Sequence, residues 1–538
     1  MEDSLTAYPP SISHDQLSSL IFNIKDWQIT HGMQLKYGPD VESVSSTPIG
    51  VTVFPTTFPR ALFEQAQALQ PVYNRLYAAI SEDEKWLYKV LTGLIDDGRF
   101  AAVLWGIHQQ VKEEGYVQDI TLGIFRSDYM VHVTPNPDPL AHHPQMELRQ
   151  IELNTFSVAG GAHSNKTAQM HQFMLNNGSY TFLHSPQLSN NKIPKNETID
   201  SLAAGLRSAH TAYGQSRYVK SSTPGILFVV QPRNVNICDE RPLEYVLWEH
   251  DIPAYRAIFG AQLLEHTTLS PSRELLYQPS SLSEGVEIAV VYMRAGYDSE
   301  EYSLGGIEAR LRLERSRAIK CPSILSHLAT FKKVQQELAV PGVLEKFLSS
   351  EEAAIVSRTF APMFPLDKES RAGRIGRQLA CDPATASSYV LKPSLEGGGH
   401  NIYRRDIPGL LSNTPEAQWH TYILMELVNP LIQKNILLTP RGIYDKVAAI
   451  EDRSDFDAEN EAEEQSSLDR LSTKEGGPTV SELGIFGVCM WKKPGPGWDW
   501  IMLNVEAGWS FKTKPDYIDE ISVVKGFGCF DSPLLIDT

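Results

Sequence analysis

The chain has 538 residues, 42% of them hydrophobic, enough to bury substantial cores and fill about two or three domains. Its formal net charge of −17 argues against a nucleic-acid surface, and any site for an anionic ligand must be built from a local cluster of Lys and Arg. Five scattered cysteines, with no C-x-x-C pair, exclude a disulfide framework and a structural zinc site. The start, Met1-Glu-Asp-Ser-Leu-Thr-Ala-Tyr-Pro-Pro10, lacks the basic and apolar runs of a signal peptide, and no apolar stretch reaches membrane-spanning length. A soluble cytoplasmic protein without membrane or nucleic-acid partners is therefore expected. On that expectation, the sequons at Asn165, Asn177 and Asn196 are chance occurrences.

In chain order, Leu62, Ala66, Leu69, Tyr73, Leu76 and Ile80 form one face of an amphipathic helix, which Pro71 is expected to kink or divide. A second helix follows through Trp86, Val90 and Leu94. Short β-rich runs come next, at 120–124, 226–230, 287–292, 389–391 and 422–425. Helical patterns over 308–319 and 332–338 lie between them. This alternation predicts a mixed α/β architecture with more than one sheet. Residues 134–146, rich in Pro and His, read as a loop. Residues 451–464 carry eight acids against one Arg, and the surrounding stretch, about 451–479, reads as a disordered insertion.

The chemistry begins at Val390-Leu-Lys-Pro-Ser-Leu-Glu-Gly-Gly-Gly-His-Asn-Ile-Tyr403. Three adjacent glycines expose backbone N–H groups that can close over polyphosphate oxygens, with Lys392 to neutralise them and Glu396 to hold magnesium. The plain alternative is a Gly-rich surface turn. Upstream, Glu152 and Asn154 in Gln150-Ile-Glu-Leu-Asn154 would share one face of a strand, as a hard-cation site or as the polar face of an edge strand. Arg126 at a strand end, Arg294 after a strand, Lys332-Lys333 opening a helix and Lys512-Thr-Lys514 after a strand are either solvated charges or ligands beyond strand ends. The P-loop, the G-x-G-x-x-G turn and the protein-kinase catalytic loop are all absent, so any nucleotide must be held in another way.

Arg126-Ser-Asp-Tyr129, Ile151-Glu-Leu-Asn-Thr155, Asn236-Ile-Cys-Asp239, Arg294-Ala-Gly-Tyr297 and Glu308-Ala-Arg-Leu311 carry a resemblance that continues through Lys320-Cys-Pro322, Lys332-Lys-Val-Gln-Gln-Glu337, Leu391-Lys-Pro393, Glu396-Gly-Gly-Gly399 and Ser481-Glu-Leu-Gly-Ile-Phe-Gly487. In this order the blocks make the chain resemble the eukaryotic glutathione synthetase family of the ATP-grasp superfamily.

The resemblance implies an ATP-grasp catalytic region over 1–223 and 333–538, with a Gly-rich lid around 389–430. A substrate-binding α/β domain would be inserted at 224–332. It further implies a homodimer and an ATP-dependent carbon–nitrogen ligase that activates a carboxylate as an acyl phosphate for capture by an amine. Carried over residue by residue, Glu152, Asn154 and Glu396 would bind magnesium. Glu152, Lys332, Lys392, Glu396, Gly397, Gly398, Gly399, Asn401, Tyr403, Met425, Glu426, Glu482 and Lys514 would surround ATP. Arg126, Lys332, Lys392 and Lys514 would carry catalysis. Substrate contacts would come from Arg126, Phe156, Ser157, Val158, Ala159, Asn234, Asn236, Glu240, Arg294, Tyr297, Lys512, Val523 and Val524.

Against the family pattern, a Ser is replaced by Ala159, and a Glu-Arg-Asn segment by Asn234-Val235-Asn236. A Gln becomes Glu240, Arg-Thr-Lys becomes Lys512-Thr-Lys514, and a Gly-Gly-Val-Ala-Ala-Gly loop becomes Ile521-Ser-Val-Val-Lys-Gly526. These changes fall on substrate contacts and predict a substrate pair different from γ-glutamylcysteine plus glycine, with a stiffer loop over the acceptor. Glu240 is expected to favour a positive group in the donor pocket. Authentic glutathione synthesis and a non-catalytic ATP-binding regulatory protein are the alternatives.

Overall fold

A computed structural model describes residues 8–37, 45–135, 144–181, 188, 192–218, 223–394, 400–440, 442–443, 476–493 and 499–537. Three long antiparallel strands, Ile120–Thr134, Gly477–Lys492 and Ile501–Pro515, make its central ladder. Gln145–Asn154 pairs with the far half of the first, setting Arg126 opposite Asn154 and Asp128 opposite Glu152. Side chains alternate along a strand, so this register assigns each residue type to a face. One face carries Phe125, Tyr129, Leu153, Leu483, Ile485 and Phe511 into the main core. Helix Arg60–Glu82 covers that face, with Tyr73 6.4 Å from the Tyr129 ring and Phe63 6.3 Å from Trp509. Pro71 sits inside this helix without dividing it, and Asn504 donates to its carbonyl.

On the other face, Leu122, Ile124, Val488 and Met490 are buried beneath helix Thr198–Tyr213 through Leu202 and Leu206. Further along, the same face carries Arg126, Asp128, Glu482, Lys512 and Lys514 instead. Strands Ile319–Cys321, Val286–Met293, Gly225–Val230 and Ala254–Ile258 extend the sheet in parallel. A separate antiparallel sheet, in the order Met363–Pro365, Tyr422–Glu426, Tyr389–Pro393, Ile402–Tyr403, has its own core around Leu391, Leu424, Ile407 and Leu411. The mixed α/β class with more than one sheet is as expected.

Four local expectations need correction. Arg126 is not at a strand end: the strand runs on to Thr134, because Arg126 and Asp128 neutralise each other on one face while Phe125 and Tyr129 are buried on the other. Lys512 and Lys514 likewise lie within Ile501–Pro515, not after it. The helix expected over 308–319 spans Leu304–Arg315, and Ile319 instead opens a short strand paired with Val290. Strand Gly477–Lys492 begins inside the expected acidic insertion, whose residues 451–475 lie outside the described residues, as do 136–143 of the Pro/His stretch. Of the sequon asparagines, Asn165 and Asn196 are buried.

The amino-terminal strands are tied to the end of the chain by one buried carboxylate. Asp531 accepts from Thr52 Oγ1 at 2.7 Å, Thr56 Oγ1 at 2.5 Å, Thr513 Oγ1 at 2.6 Å and the Ser532 amide at 2.6 Å. Burial pushes its carboxyl up to about 6, against the pull of those donors. Asp531→Ala would strand four buried donors and is expected to cost about 3 kcal/mol or more in chemical denaturation. An unchanged midpoint would show that Asp531 does not hold these strands.

Candidate active site

A cavity of about 680 Å³ opens where the helix cover stops, between the central ladder, the separate sheet and the carboxyl ends of the parallel strands. It is lined by every described residue named from the sequence as an ATP, metal or substrate contact. Glu396 and Gly397–Gly399 lie outside the described residues.

Arg126 grips Asp128 bidentately, Nε to Oδ1 at 2.6 Å and Nη2 to Oδ2 at 2.7 Å, and donates through Nη1 to the Ala159 carbonyl at 2.7 Å. Asn154 Nδ2 donates to Asp128 Oδ2 at 3.2 Å and to Glu152 Oε1 at 3.0 Å, which turns its carbonyl oxygen away from both carboxylates. Burial pushes the Asp128 carboxyl up, opposed by Arg126 and Lys512. For Glu152, burial would do the same, but Lys332 and Lys392 outweigh it and bring it down to about 2. Lys332 Nζ is 4.0 Å from Glu152, and Lys392 Nζ donates to the Ile151 carbonyl at 3.0 Å, joining the separate sheet to the Glu152 strand. Burial lowers Lys392, against the raising effect of Glu152.

The ionised Glu152 carboxylate is a hard donor that fits magnesium, which takes one or two protein carboxylates plus water and phosphate oxygens. Asn154 meets Glu152 through its N–H and would offer its oxygen to the ion only with the amide turned over. Among the described residues no three His, Cys, Asp or Glu side chains gather as a closed metal cage. Val390, Met425 and Ala361 form a small apolar cluster with Tyr403 packed on it, a surface suited to a flat base. Lys512 pairs with Glu482 across the ladder, and Lys514 donates to the Ile518 carbonyl.

The far end is also ionic. Arg294 is bonded by Nε to Glu240 Oε1 at 3.3 Å, lies 3.7 Å from Asp239 and donates to the Val158 carbonyl. Glu240 Oε2 accepts from Arg256 at 2.7 Å and from Asn234 Nδ2 at 2.5 Å. The expectation that Glu240 offers a spare negative charge is therefore corrected, since two guanidinium groups already neutralise it. Asn236 Oδ1 lies 3.1 Å from His163 Nε2, and Gln231 donates to the Tyr297 hydroxyl at 2.9 Å. Tyr297 meets the edge of Phe156 at 6.3 Å.

At the third wall, Ser522 and Phe527 exchange two backbone hydrogen bonds of 2.9 Å and close residues 521–528 into a tight hairpin. Gly526 turns it at φ +84°, a conformation that favours glycine. Val523 is buried against Phe530 and Val51, with Val524 packed beside it.

The model of the eukaryotic glutathione synthase ATP-binding domain family matches residues 14–453 and 458–535. The chain belongs to that family. It is 32% identical to the glutathione synthetase large chain of Schizosaccharomyces pombe over 96% of its own length and 97% of that relative. It is 33% identical to the glutathione synthetase of Homo sapiens over the same shares of the two chains. A solved glutathione synthetase-like effector of Globodera pallida, in its apo form, shares the fold with a TM-score of 0.68 at 18% identity over 98% of both chains. The architecture is ATP-grasp, and the chain is an ATP-dependent ligase that forms carbon–nitrogen bonds.

Sequence reasoning missed Asp128 and Gly484 in this site. Asp128 had a signal, an acid two residues from Arg126 in one strand and hence on the same face. Gly484 had none: a Cβ there would lie 2.6 Å from Asp128 Oδ1 and 2.9 Å from Arg126 Cδ, a clash set by the neighbouring strand.

Burial brings Lys514 down to about 8, only partly offset by Glu482 and Asp519. Lys514 is charged below that value, so kcat/KM for ATP should fall as pH rises through it, by about half at pH 8 and about tenfold by pH 9. Lys514→Arg stays charged and should flatten this limb. A wild-type profile that is flat to pH 9 would remove Lys514 from phosphate recognition.

Proposed function

We propose that this ligase activates a carboxylic acid, such as a γ-glutamyl dipeptide or an analogue, and joins it to an amine or amino acid, as a pair other than γ-glutamylcysteine plus glycine. A carboxylate oxygen of the donor attacks the γ-phosphorus of ATP, ADP leaves, and the amine then displaces phosphate from the acyl carbon. Such a reaction needs charge neutralisation and alignment rather than a side-chain nucleophile. Lys332, Lys392 and Lys514 would neutralise the transferring phosphoryl group, and Arg126, fixed by Asp128, would orient the donor carboxylate. Glu152, Asn154 and Glu396 would hold magnesium, which neutralises phosphate charge when bound. Residues 224–332 would serve as the substrate-binding unit. A homodimer and a cytoplasmic setting complete the reading.

The single observation that carries the altered pair is the 521–528 hairpin, which lines the cavity with Ile521 and Ser522 where the family pattern has two glycines and with Lys525 where it has an alanine. A loop built in this way selects its acceptor by shape and charge. Lys512, whose ammonium is engaged by Glu482, lacks the bidentate fork of arginine for an acceptor carboxylate. Glutathione synthesis itself is favoured by one contact, between Asn234 and Glu240. The chain has lost an acid at the first position and gained one at the second, within a hydrogen bond of each other, so the donor pocket keeps a carboxylate there, while Val235 replaces an arginine.

The deciding assay is ADP release with product mass spectrometry on a panel of acids and amines. Little turnover is expected with γ-glutamylcysteine plus glycine, and more with another pair; glutathione made at an ordinary rate overturns the altered-pair reading. Replacing 521–526 with Gly-Gly-Val-Ala-Ala-Gly should move acceptor choice toward glycine. An unmoved preference would mean that the hairpin does not select the amine.

A further inference from the structure

Beside the donor end of the cleft lies a second cavity of about 350 Å³, at the carboxyl ends of the adjacent parallel strands Gly225–Val230 and Ala254–Ile258. In open α/β sheets this crevice is where ligands collect. Among the described residues that line it, four are basic (Lys36, Arg233, Arg241 and Arg256) and none is acidic, in a chain whose net charge is −17. The carboxylates bonded to two of them do not line the cavity: Glu244 accepts from Arg241 Nη1 at 2.6 Å and from Arg256 Nη1, and Glu240 accepts from Arg256 Nη2.

These bonds use one N–H of Arg241 and two of Arg256. A guanidinium has five, so donors remain on both, fixed in direction by the acids bonded to them. The side chain of Arg241 is 42% exposed, whereas Glu244 is 1% exposed, so the positive partner faces outward and the negative one does not. Lys36 is brought to the same wall by its backbone, whose N–H donates to the Val235 carbonyl at 2.9 Å. Gln231 and Asn234 line both cavities and join this one to the active cleft.

We propose that the second cavity is an anion-binding site for a carboxylate or phosphate group, held by the guanidinium groups of Arg241 and Arg256 with Arg233 and Lys36 completing the wall. Two sources share that chemistry, a free small anion and an acidic tail on the carboxylic-acid donor; the second rests on the ligase reading given above.

The test uses the full chain saturated with magnesium and a non-hydrolysable ATP analogue, so that the phosphate-binding end of the first cavity is filled. Inorganic phosphate and, separately, succinate are titrated calorimetrically into this complex. Saturable binding is expected in wild type, weakened about tenfold or more by Arg233→Ser together with Arg241→Gln, with the KM for ATP unchanged. No saturable binding to wild type, or equal binding to the variant, overturns the site. In ligase assays, succinate competing with the donor supports an acidic tail as occupant, and succinate altering turnover without competition supports a free anion. A chain that turns over no donor defeats the ligase reading, while the phosphate titration still decides the anion site.

Discussion

The buried carboxylate of Asp128 organises the active face. It takes both forks of Arg126, receives an N–H from Asn154, and lies opposite Glu152 on the next strand. Removing such a charge from water is costly unless its oxygens are fully bonded, and here Arg126 and Asn154 share that task. The consequence reaches beyond Asp128. Arg126 is fixed at the angle that also secures the Ala159 carbonyl, and the Asn154 amide is fixed with its oxygen directed outward. Gly484 is required because any side chain there would enter the same space. The Arg126 guanidinium and the Asp128 carboxylate are thus fixed against each other before any ligand arrives, a preorganised arrangement of charge.

The same ladder explains why the cleft opens where it does. Along one continuous face the residues change from Leu122, Ile124, Val488 and Met490 to Arg126, Asp128, Glu482 and Lys512, and helix Thr198–Tyr213 packs on the first group. No helix could bury the second group without stripping water from a row of charges. The opposite face is mainly apolar, with Ser127 buried between Phe125 and Tyr129, and is covered by helix Arg60–Glu82. Cleft and core are therefore two readings of one alternating pattern.

That pattern was only partly visible in the sequence. Helices with clear periodicity, such as 62–80 and 332–338, fall where their apolar spacing puts them. The strand through Arg126 was read too short because charge interrupts its hydrophobic run, and the missing fact was a neighbouring acid on the same face. The second long strand of Lys512 and Lys514 was obscured in the same way: its polar side chains are matched across strands, Lys512 with Glu482, rather than along the sequence. Site residues could be named from the family resemblance, whereas their states of charge could not. Glu152 is held ionised by two lysines far away in sequence, and Lys514 is lowered by burial that only tertiary structure supplies.

Glu240 shows how far a substitution can mislead when read alone. As an added acid it suggests a negatively charged pocket seeking a cationic substrate. In the fold it is bonded to Arg294, Arg256 and Asn234, and Asn234 stands at a position where the family pattern carries an acid. The carboxylate has moved across one hydrogen bond, and Val235 replaces an arginine of the family pattern beside it. The hairpin at 521–528 has no such compensation. Two glycines have been exchanged for Ile521 and Ser522 and an alanine for Lys525, all three lining the cavity, whereas Val523, buried in the same cluster as Phe530, is unchanged. A carboxylate moved to a touching partner stays in its pocket, whereas side chains in place of two glycines narrow the backbone conformations open to a loop.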